Sequence, residues 1–249
     1  MQGVKSRHPP GAINMVSGDL TRYALSMQSF MALKVPAGSL GSDGEQIGSV
    51  LSWNTGVLIA KGINAGFQVV MDNPNLQWAW IMGDDHTYEP DIILKLLDRE
   101  VDAIVPLCLN RLPPLDPTII EHREPPKKGR LKYLEDLPDG GLYKLAENET
   151  CGDAGLLIRR NIIEELAPDW YERKKSGAHS AEDQEFIQRL KDTGHDVYVD
   201  LDLPIGHIGH VNFLPIRKDG QWQIRMMGGG ARHLADMRPT ARISEPYIA

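Results

Sequence analysis

The five residues Trp78-Ala-Trp-Ile-Met82 are apolar at every position, and the run stops at Gly83 before two acids and a histidine, Asp84-Asp85-His86. A short run with aromatic content and no polar face suits a strand covered on both sides, as inside a parallel sheet flanked by helices. Pro90 suits the first turn of a helix, and Ile92, Ile93, Leu96 and Leu97 recur at helical spacing, so the acids are expected on a strand-to-helix loop. Such a loop lies at the carboxyl end of its strand, where open α/β sheets take their ligands. One stretch therefore constrains the architecture and the place of a site together.

The chain before it alternates in the same manner. Ala12 to Val16 reads as a first strand running into Ser17-Gly18-Asp19, a turn suited to cradling a nucleotide. Residues 20–34 carry Tyr23, Leu25, Met27, Phe30, Met31 and Leu33, enough for a helix with a broad apolar face that Val35-Pro36 ends. A Gly- and Ser-rich loop, a short strand near 47–51 and a helix over 53–71 follow; Gly62 and Gly66 weaken that helix by ~1 kcal/mol each. With the apolar run 101–109, the first part of the chain has the βαβ alternation of a parallel sheet.

Beyond it the character changes. Residues 112–130 form a proline-rich excursion, and 131–134 with 141–145 are expected to make a small hairpin about Pro138-Asp139-Gly140-Gly141. Cys151 to Arg160 reads as a glycine-bearing strand entering a short helix at 162–166. Ser180-Ala-Glu182-Asp183 starts a helix that Gly194 ends, with Ser180 as its cap. A strand over 197–203 leads to Pro204-Ile-Gly-His207-Ile-Gly-His210, and a hairpin of 211–217 with 222–226 turns at Asp219-Gly220. No pattern is legible beyond Gly228-Gly229-Gly230.

Composition narrows the partners. A chain of 249 residues with 41% hydrophobic and 24% charged residues has the balance of a folded globular protein. The formal charge of −7 lacks the basic footprint of a nucleic-acid surface, so no nucleic-acid partner is expected. Cys108 and Cys151 sit in apolar, strand-like contexts and read as reduced core thiols. No apolar run approaches the ~20 residues of a spanning helix, and the amino-terminal residues lack a signal-peptide core, so a cytoplasmic protein is expected.

Three stretches converge on one site: Asp84-Asp85, the Glu182-Asp183 pair opening a helix, and His207 with His210 after a late strand. In that order they resemble glycosyltransferases of the GT-A fold, especially the large family 2 group, with matches at Gly83-Asp84-Asp85-His86, Glu182-Asp183 and His207-Ile208-Gly209 across residues 12–210. The resemblance implies an α/β, Rossmann-like nucleotide-binding fold with a mostly parallel central sheet flanked by helices. It implies a single domain over 1–249, with a nucleotide-binding half at 12–110, an acceptor-binding half at 111–210 and a carboxyl-terminal extension at 211–249. Gly83 stands where the family carries the first acid of its Asp-x-Asp, with Asp84 as the available substitute, and Trp53 stands where an Arg is often found.

The implied reaction is transfer of a sugar from a nucleotide-sugar donor to an acceptor, with inversion as the expected outcome. Breaking a sugar–phosphate bond develops charge on a nucleoside diphosphate, which a divalent cation can stabilise. Asp85 and His207 are assigned as ligands of Mn²⁺ or Mg²⁺, with His210 as a substitute for His207 and His86 as a supporting residue. Ser17, Asp19, Asn54, Asp84 and Asp85 are assigned to the nucleotide. Asp183 is the first choice for the base that takes the acceptor's proton and Glu182 the second; helix-start amides are expected to keep Asp183 ionised. Arg111 reads as a solvated side chain with access to a diphosphate or acceptor, and Trp170, Tyr171 and Trp222 as packing residues able to stack on a sugar. Two other functions fit the pattern: a sugar-phosphate nucleotidyltransferase, for which residues 17–22 are a poor basic loop, and a non-catalytic nucleotide- or carbohydrate-binding domain.

Overall fold

A computed structural model describes residues 1–17, 24–38, 48–111, 115–122, 129–168, 170–171, 182–209, 212–228 and 232–237. Its centre is a seven-stranded sheet of β1 (Ala12–Ser17), β2 (Val50–Thr55), β3 (Trp78–Gly83), β4 (Ala103–Leu107), β5 (Leu142–Lys144), β6 (Leu157–Arg159) and β7 (Val197–Pro204). The spatial order is β5-β7-β4-β6-β3-β1-β2. β1, β2, β3, β4 and β7 run the same way, while β6 is antiparallel to both β3 and β4, and β5 is antiparallel to β7. The fold is thus mixed α/β with a large, mostly parallel central sheet.

The apolar run Trp78–Met82 is buried on both faces, as its pattern requires. Ala79 and Ile81 join a cluster with Ile63, Phe67 and Val70 of helix α2 (Ile59–Asp72), whereas Trp78, Trp80 and Met82 join Ile92, Ile93, Leu96 and Leu97 of helix α3 (Ile92–Asp98) on the other face. The two glycines that weaken α2 as a helix explain themselves here. A Cβ on Gly62 would stand 2.6 Å from Val16, and one on Gly66 2.0 Å from Asn14, so their absence lets the helix lie directly on β1.

Several local expectations are corrected. Trp53 and Asn54 belong to β2, paired in register with Met15 and Val16, and the helix begins only at Ile59, because the edge of β1 offers them a ladder of backbone partners. The helix expected over 20–34 is described as Ala24–Ala32, and Lys34–Pro36 forms a parallel pair with Gln2–Val4. The hairpin of 131–134 with 141–145 does not form: Gly129–Leu131 pairs with Ile119–His122, whereas Leu142–Lys144 takes the open edge of β7. Lys132 Nζ instead reaches Tyr143 Oη at 2.6 Å and also binds Glu149, so polar side chains bring the segments together without a ladder.

The carboxyl-terminal hairpin is present as Asn212–Lys218 with Gln221–Gly228, and its two-residue turn places Asp219 and Gly220 at φ 53° and 74°. A further strand, Arg232–Met237, lies beside it in a region with no legible sequence pattern. This antiparallel sheet continues through Gly206–Ile208 to His86–Thr87, which joins the carboxyl-terminal hairpin to the acid turn. Among the described residues no helix is long and apolar enough to cross a membrane.

Candidate functional site

The acid turn does not lead straight into a helix. Asp84 and Asp85 form the turn between β3 and the two-residue strand His86–Thr87, and Pro90 precedes α3 rather than opening it. Cross-strand pairing sets His86 opposite His207, with the two imidazoles stacked at 4.4 Å and 22°. Gly83 has a steric reason: a Cβ there would lie 2.5 Å from His86 Nδ1 and 3.2 Å from Asp85 Oδ1. The space where the family resemblance would put an acid is the space the His86 ring uses.

Asp85 is the centre of the cluster. Its Oδ2 accepts from Arg111 Nη1 at 2.9 Å and lies 3.3 Å from His207 Nε2, and its Oδ1 lies 2.9 Å from His86 Nδ1. The His86 contact is off the line of a hydrogen bond, and both nitrogens of that buried ring lack a well-formed partner. His207 Nδ1 also stands 2.8 Å from the Leu109 carbonyl and 3.9 Å from Cys108 Sγ. Burial pushes the Asp85 carboxyl up, but His207 and His86 outweigh it and hold it well below the usual carboxylate range. Burial pushes His86 below the ordinary imidazole value against the pull of Asp85, and raises the Cys108 thiol, to which the charge on Asp85 adds.

On the β1 side, Ser17 Oγ donates to Asp84 Oδ2. Asn54 faces the scaffold: its amide donates to Ser52 Oγ at 3.0 Å, the Gly62 carbonyl at 3.2 Å and Asn14 Oδ1 at 3.4 Å, tying β2 to the first turn of α2. Asp19, His210 and the Ser180 cap lie outside the described residues.

A second acidic group lies on the loop entering β6. Tyr171 Oη donates to Asp153 Oδ2 at 2.8 Å, and Asp183, in the first turn of α5 (Glu182–Asp192), approaches Gly152 so closely that a Cβ there would be 3.4 Å from its Oδ2. Burial and the neighbouring charge of Asp183 push Asp153 up to about 7. Burial also raises Asp183 and Glu182 adds to it, outweighing the backbone N–H groups of Gln184 and Asp183; the helix start does not by itself hold this carboxyl at an ordinary value. The loop is anchored to the ends of both strands that carry the first cluster, because Gly155 N donates to Ile81 O at 3.1 Å, Gly152 N to Thr118 O at 3.1 Å, and Thr118 N to Cys108 O at 3.0 Å. Tyr88 reports the shared surroundings. Its buried hydroxyl is raised well above the phenol value by burial, and charge on Asp85, Cys108 and Asp153 reaches it.

Ser17, Asp84, Asp85 and His207 are therefore brought to one edge of the sheet, with Asp183, at the start of its helix, beside a loop tied to that edge. Sequence reasoning did not foresee Cys108 or Asp153 at this edge, and Tyr171, read as a packing residue able to stack on a sugar, is the donor to Asp153. The available signal was positional, since Cys108 closes the run of β4 as Asp84 and Asp85 close that of β3.

No family model matches the chain, and no curated protein matches it. Among solved structures, it is similar to A197 from STIV, with a TM-score of 0.50 and 13% identity over 95% of this chain and 98% of that one. It also aligns with the inositol-1-phosphate CTP transferase from T. maritima, with a TM-score of 0.40 and 12% identity over 81% and 90% of the two chains. The first likeness is one of fold, running through nearly the whole of both chains. What fold and site define together is an α/β protein with a His-, Cys- and carboxylate-bearing cluster at the carboxyl edge of its central sheet.

Proposed function

We propose that this protein is a metal-dependent glycosyltransferase that moves a sugar from a nucleotide-sugar donor to an acceptor with inversion. The observation that carries the reading is the approach of His207 to Asp85 across 122 positions of sequence, at the edge where α/β sheets bind ligands. The donor set suits a cation: a carboxylate and an imidazole converge, and a neighbouring buried imidazole lacks a well-formed hydrogen bond at either nitrogen. Asp85 and His207 would hold the ion, which when bound supplies a Lewis acid for the charge that develops on the diphosphate.

The chain's own groups divide the remaining work. Ser17 and Asp84, hydrogen-bonded at the end of β1, serve the nucleotide side, while Asn54, turned to the scaffold, supports that end of the sheet. Arg111, half exposed and held by Asp85, offers a planar cation to phosphate oxygens. Asp183 takes the acceptor's proton while that oxygen bonds to the anomeric carbon and the bond to the diphosphate breaks. Its raised proton affinity makes it a stronger base than an ordinary aspartate. Glu182 is the second choice for the same task.

The test is incubation of the purified chain with a panel of nucleotide sugars, candidate acceptors and a divalent cation, with products read by mass. Nucleoside diphosphate release that falls by ~10²- to 10⁴-fold in Asp183→Asn is expected. Pyrophosphate release from a nucleoside triphosphate and a sugar phosphate would replace this reading with nucleotidyl transfer. Binding of a nucleotide sugar without any product would replace it with a binding domain.

A further inference from the structure

The carboxylate–imidazole pair by itself suits Mn²⁺ or Mg²⁺, but the residues around it are of another kind. His86, Cys108 and His207 each offer one ligand atom, and the three atoms lie within 4.8 Å of one another. They come from three separate segments, the turn after β3, the end of β4 and the strand after β7, so their meeting is a product of the fold rather than of local sequence. We infer that His86, Cys108 and His207 form a three-ligand site for a thiophilic divalent ion of the Zn²⁺ class, with Asp85 as the carboxylate that orients the two imidazoles.

Three features support this assignment. The first is the place of His207, whose ring reaches from Leu109 O at 2.8 Å to Asp85 Oδ2 at 3.3 Å and so joins the end of β4 to the acid turn. The second is His86, buried with both nitrogens lacking a well-formed hydrogen bond and stacked at 4.4 Å on His207. A shared metal ion would take one nitrogen from each ring. The third is Cys108, whose sulfur lies 3.9 Å from His207 Nδ1. Thiolate selects Zn²⁺-class ions, while Mg²⁺ and Mn²⁺ prefer oxygen.

Tetrahedral zinc with bonds of ~2.0–2.3 Å places its ligand atoms about 3.3–3.7 Å apart, so side-chain adjustments of about 1 Å close the set. Three protein ligands with a fourth position open is the arrangement of catalytic rather than structural zinc. A carboxylate against metal-bound imidazoles fixes their orientation, which is the role this geometry gives Asp85. The inference names the ion of the proposed function and revises its ligand set, moving Asp85 from ligand to orienting group, and it rests on reading this cluster as a cation site, not on the reaction.

Chelator-treated protein is titrated with Co²⁺, a spectroscopic substitute for Zn²⁺. Wild type and Cys151→Ser should show a near-ultraviolet sulfur-to-cobalt charge-transfer band, and Cys108→Ser should bind Co²⁺ without it. In competition with a chromophoric chelator, Cys108→Ser should weaken Zn²⁺ at least ~10-fold while changing Mn²⁺ affinity far less. Absence of the sulfur band in wild type, which requires no variant to fold, overturns the inference, as does an equal loss of Zn²⁺ and Mn²⁺. The two readings fail separately. A sulfur band without turnover of any donor sinks the transferase and leaves the site, whereas Mn²⁺-driven diphosphate release without the band does the reverse.

Discussion

Two aspartates, one within β7 and one just past the end of β3, have opposite surroundings. Asp200, on β7, is fully buried, and every oxygen it presents meets a donor: Arg99 Nε at 2.7 Å on Oδ2, and Arg99 Nη2 at 3.1 Å with the Asp202 amide at 3.0 Å on Oδ1. Asp202 completes the group by accepting from Arg99 Nη2 at 3.1 Å and from the Gly141 amide at 3.0 Å. Asp85 instead meets one half-exposed guanidinium and two imidazoles, one of which, His86, lacks a well-formed hydrogen bond at either nitrogen. A buried polar group with all partners in place is a fastener. One with partners missing is poised for something that arrives, and that difference, more than acidity or burial, separates the site from the scaffold.

The largest effect tests the fastener. Arg99→Ala leaves Asp200 buried without its cation, a change that costs about 3 kcal/mol or more when a buried pair is broken. In a chain of this size that corresponds to a fall of roughly 6–12 °C in melting temperature. Calorimetry or denaturant unfolding measures it, and a loss below ~1 kcal/mol would erase the distinction between the two aspartates.

Asp153 offers a third arrangement, a carboxyl beside another acid with a tyrosine hydroxyl as donor. In the unfolded chain it releases its proton near 3.8, and in the folded chain near 7. Between these values the folded state binds more protons, so stability is present below the window and is lost as pH rises through it. Wild-type stability should therefore decline between about pH 4 and 7 by more than that of Asp153→Asn. Parallel profiles for the two proteins would show that this carboxyl titrates normally.

How much of this was legible follows from where the information resides. β3 and its acid terminus could be read because burial on both faces leaves an unbroken apolar run, and the turn residues change chemistry abruptly. The boundary at 53–59 could not, because Val57-Leu58-Ile59 extends an apolar pattern through residues that are exposed between β2 and α2. The partner of Leu142–Lys144 was hidden for another reason: local turn residues favour a hairpin, while the choice of β7 depends on an edge some 55 positions away. Cys108 has the same apolar surroundings whether it is a core thiol or a ligand, and only the arrival of His207 distinguishes them. Gly83 was legible as a departure from the family pattern, but its cause, the His86 ring, is a matter of space.

The unsatisfied ring gives a prediction of opposite sign to that for Arg99. His86 pays for burial without a well-formed hydrogen bond, so an apolar ring of similar shape removes that cost. His86→Phe should stabilise the metal-free protein by about 1 kcal/mol and abolish its stabilisation by added Zn²⁺. Thermal scans with and without the ion measure both effects. Destabilisation of the metal-free form would mean that His86 is already a fastener, like Asp200.

The smallest stability effect should come from Arg111, and it makes the comparison a matched one. Arg111 and Arg99 both hold a carboxylate oxygen at hydrogen-bond distance, but the Arg111 side chain is 53% exposed against 32% for Arg99, and its partner keeps two imidazoles. Water screens the exposed pair, so Arg111→Ala should change stability by less than ~1 kcal/mol. If its guanidinium is held out for phosphate, the same substitution should weaken binding of a nucleoside diphosphate about 10-fold or more, since a charged hydrogen bond to a ligand is worth ~1.5–3 kcal/mol. Calorimetric titration with the diphosphate separates the outcomes: unchanged affinity makes Arg111 a surface cation, whereas lost affinity with stability intact makes it the phosphate-facing counterpart of Arg99.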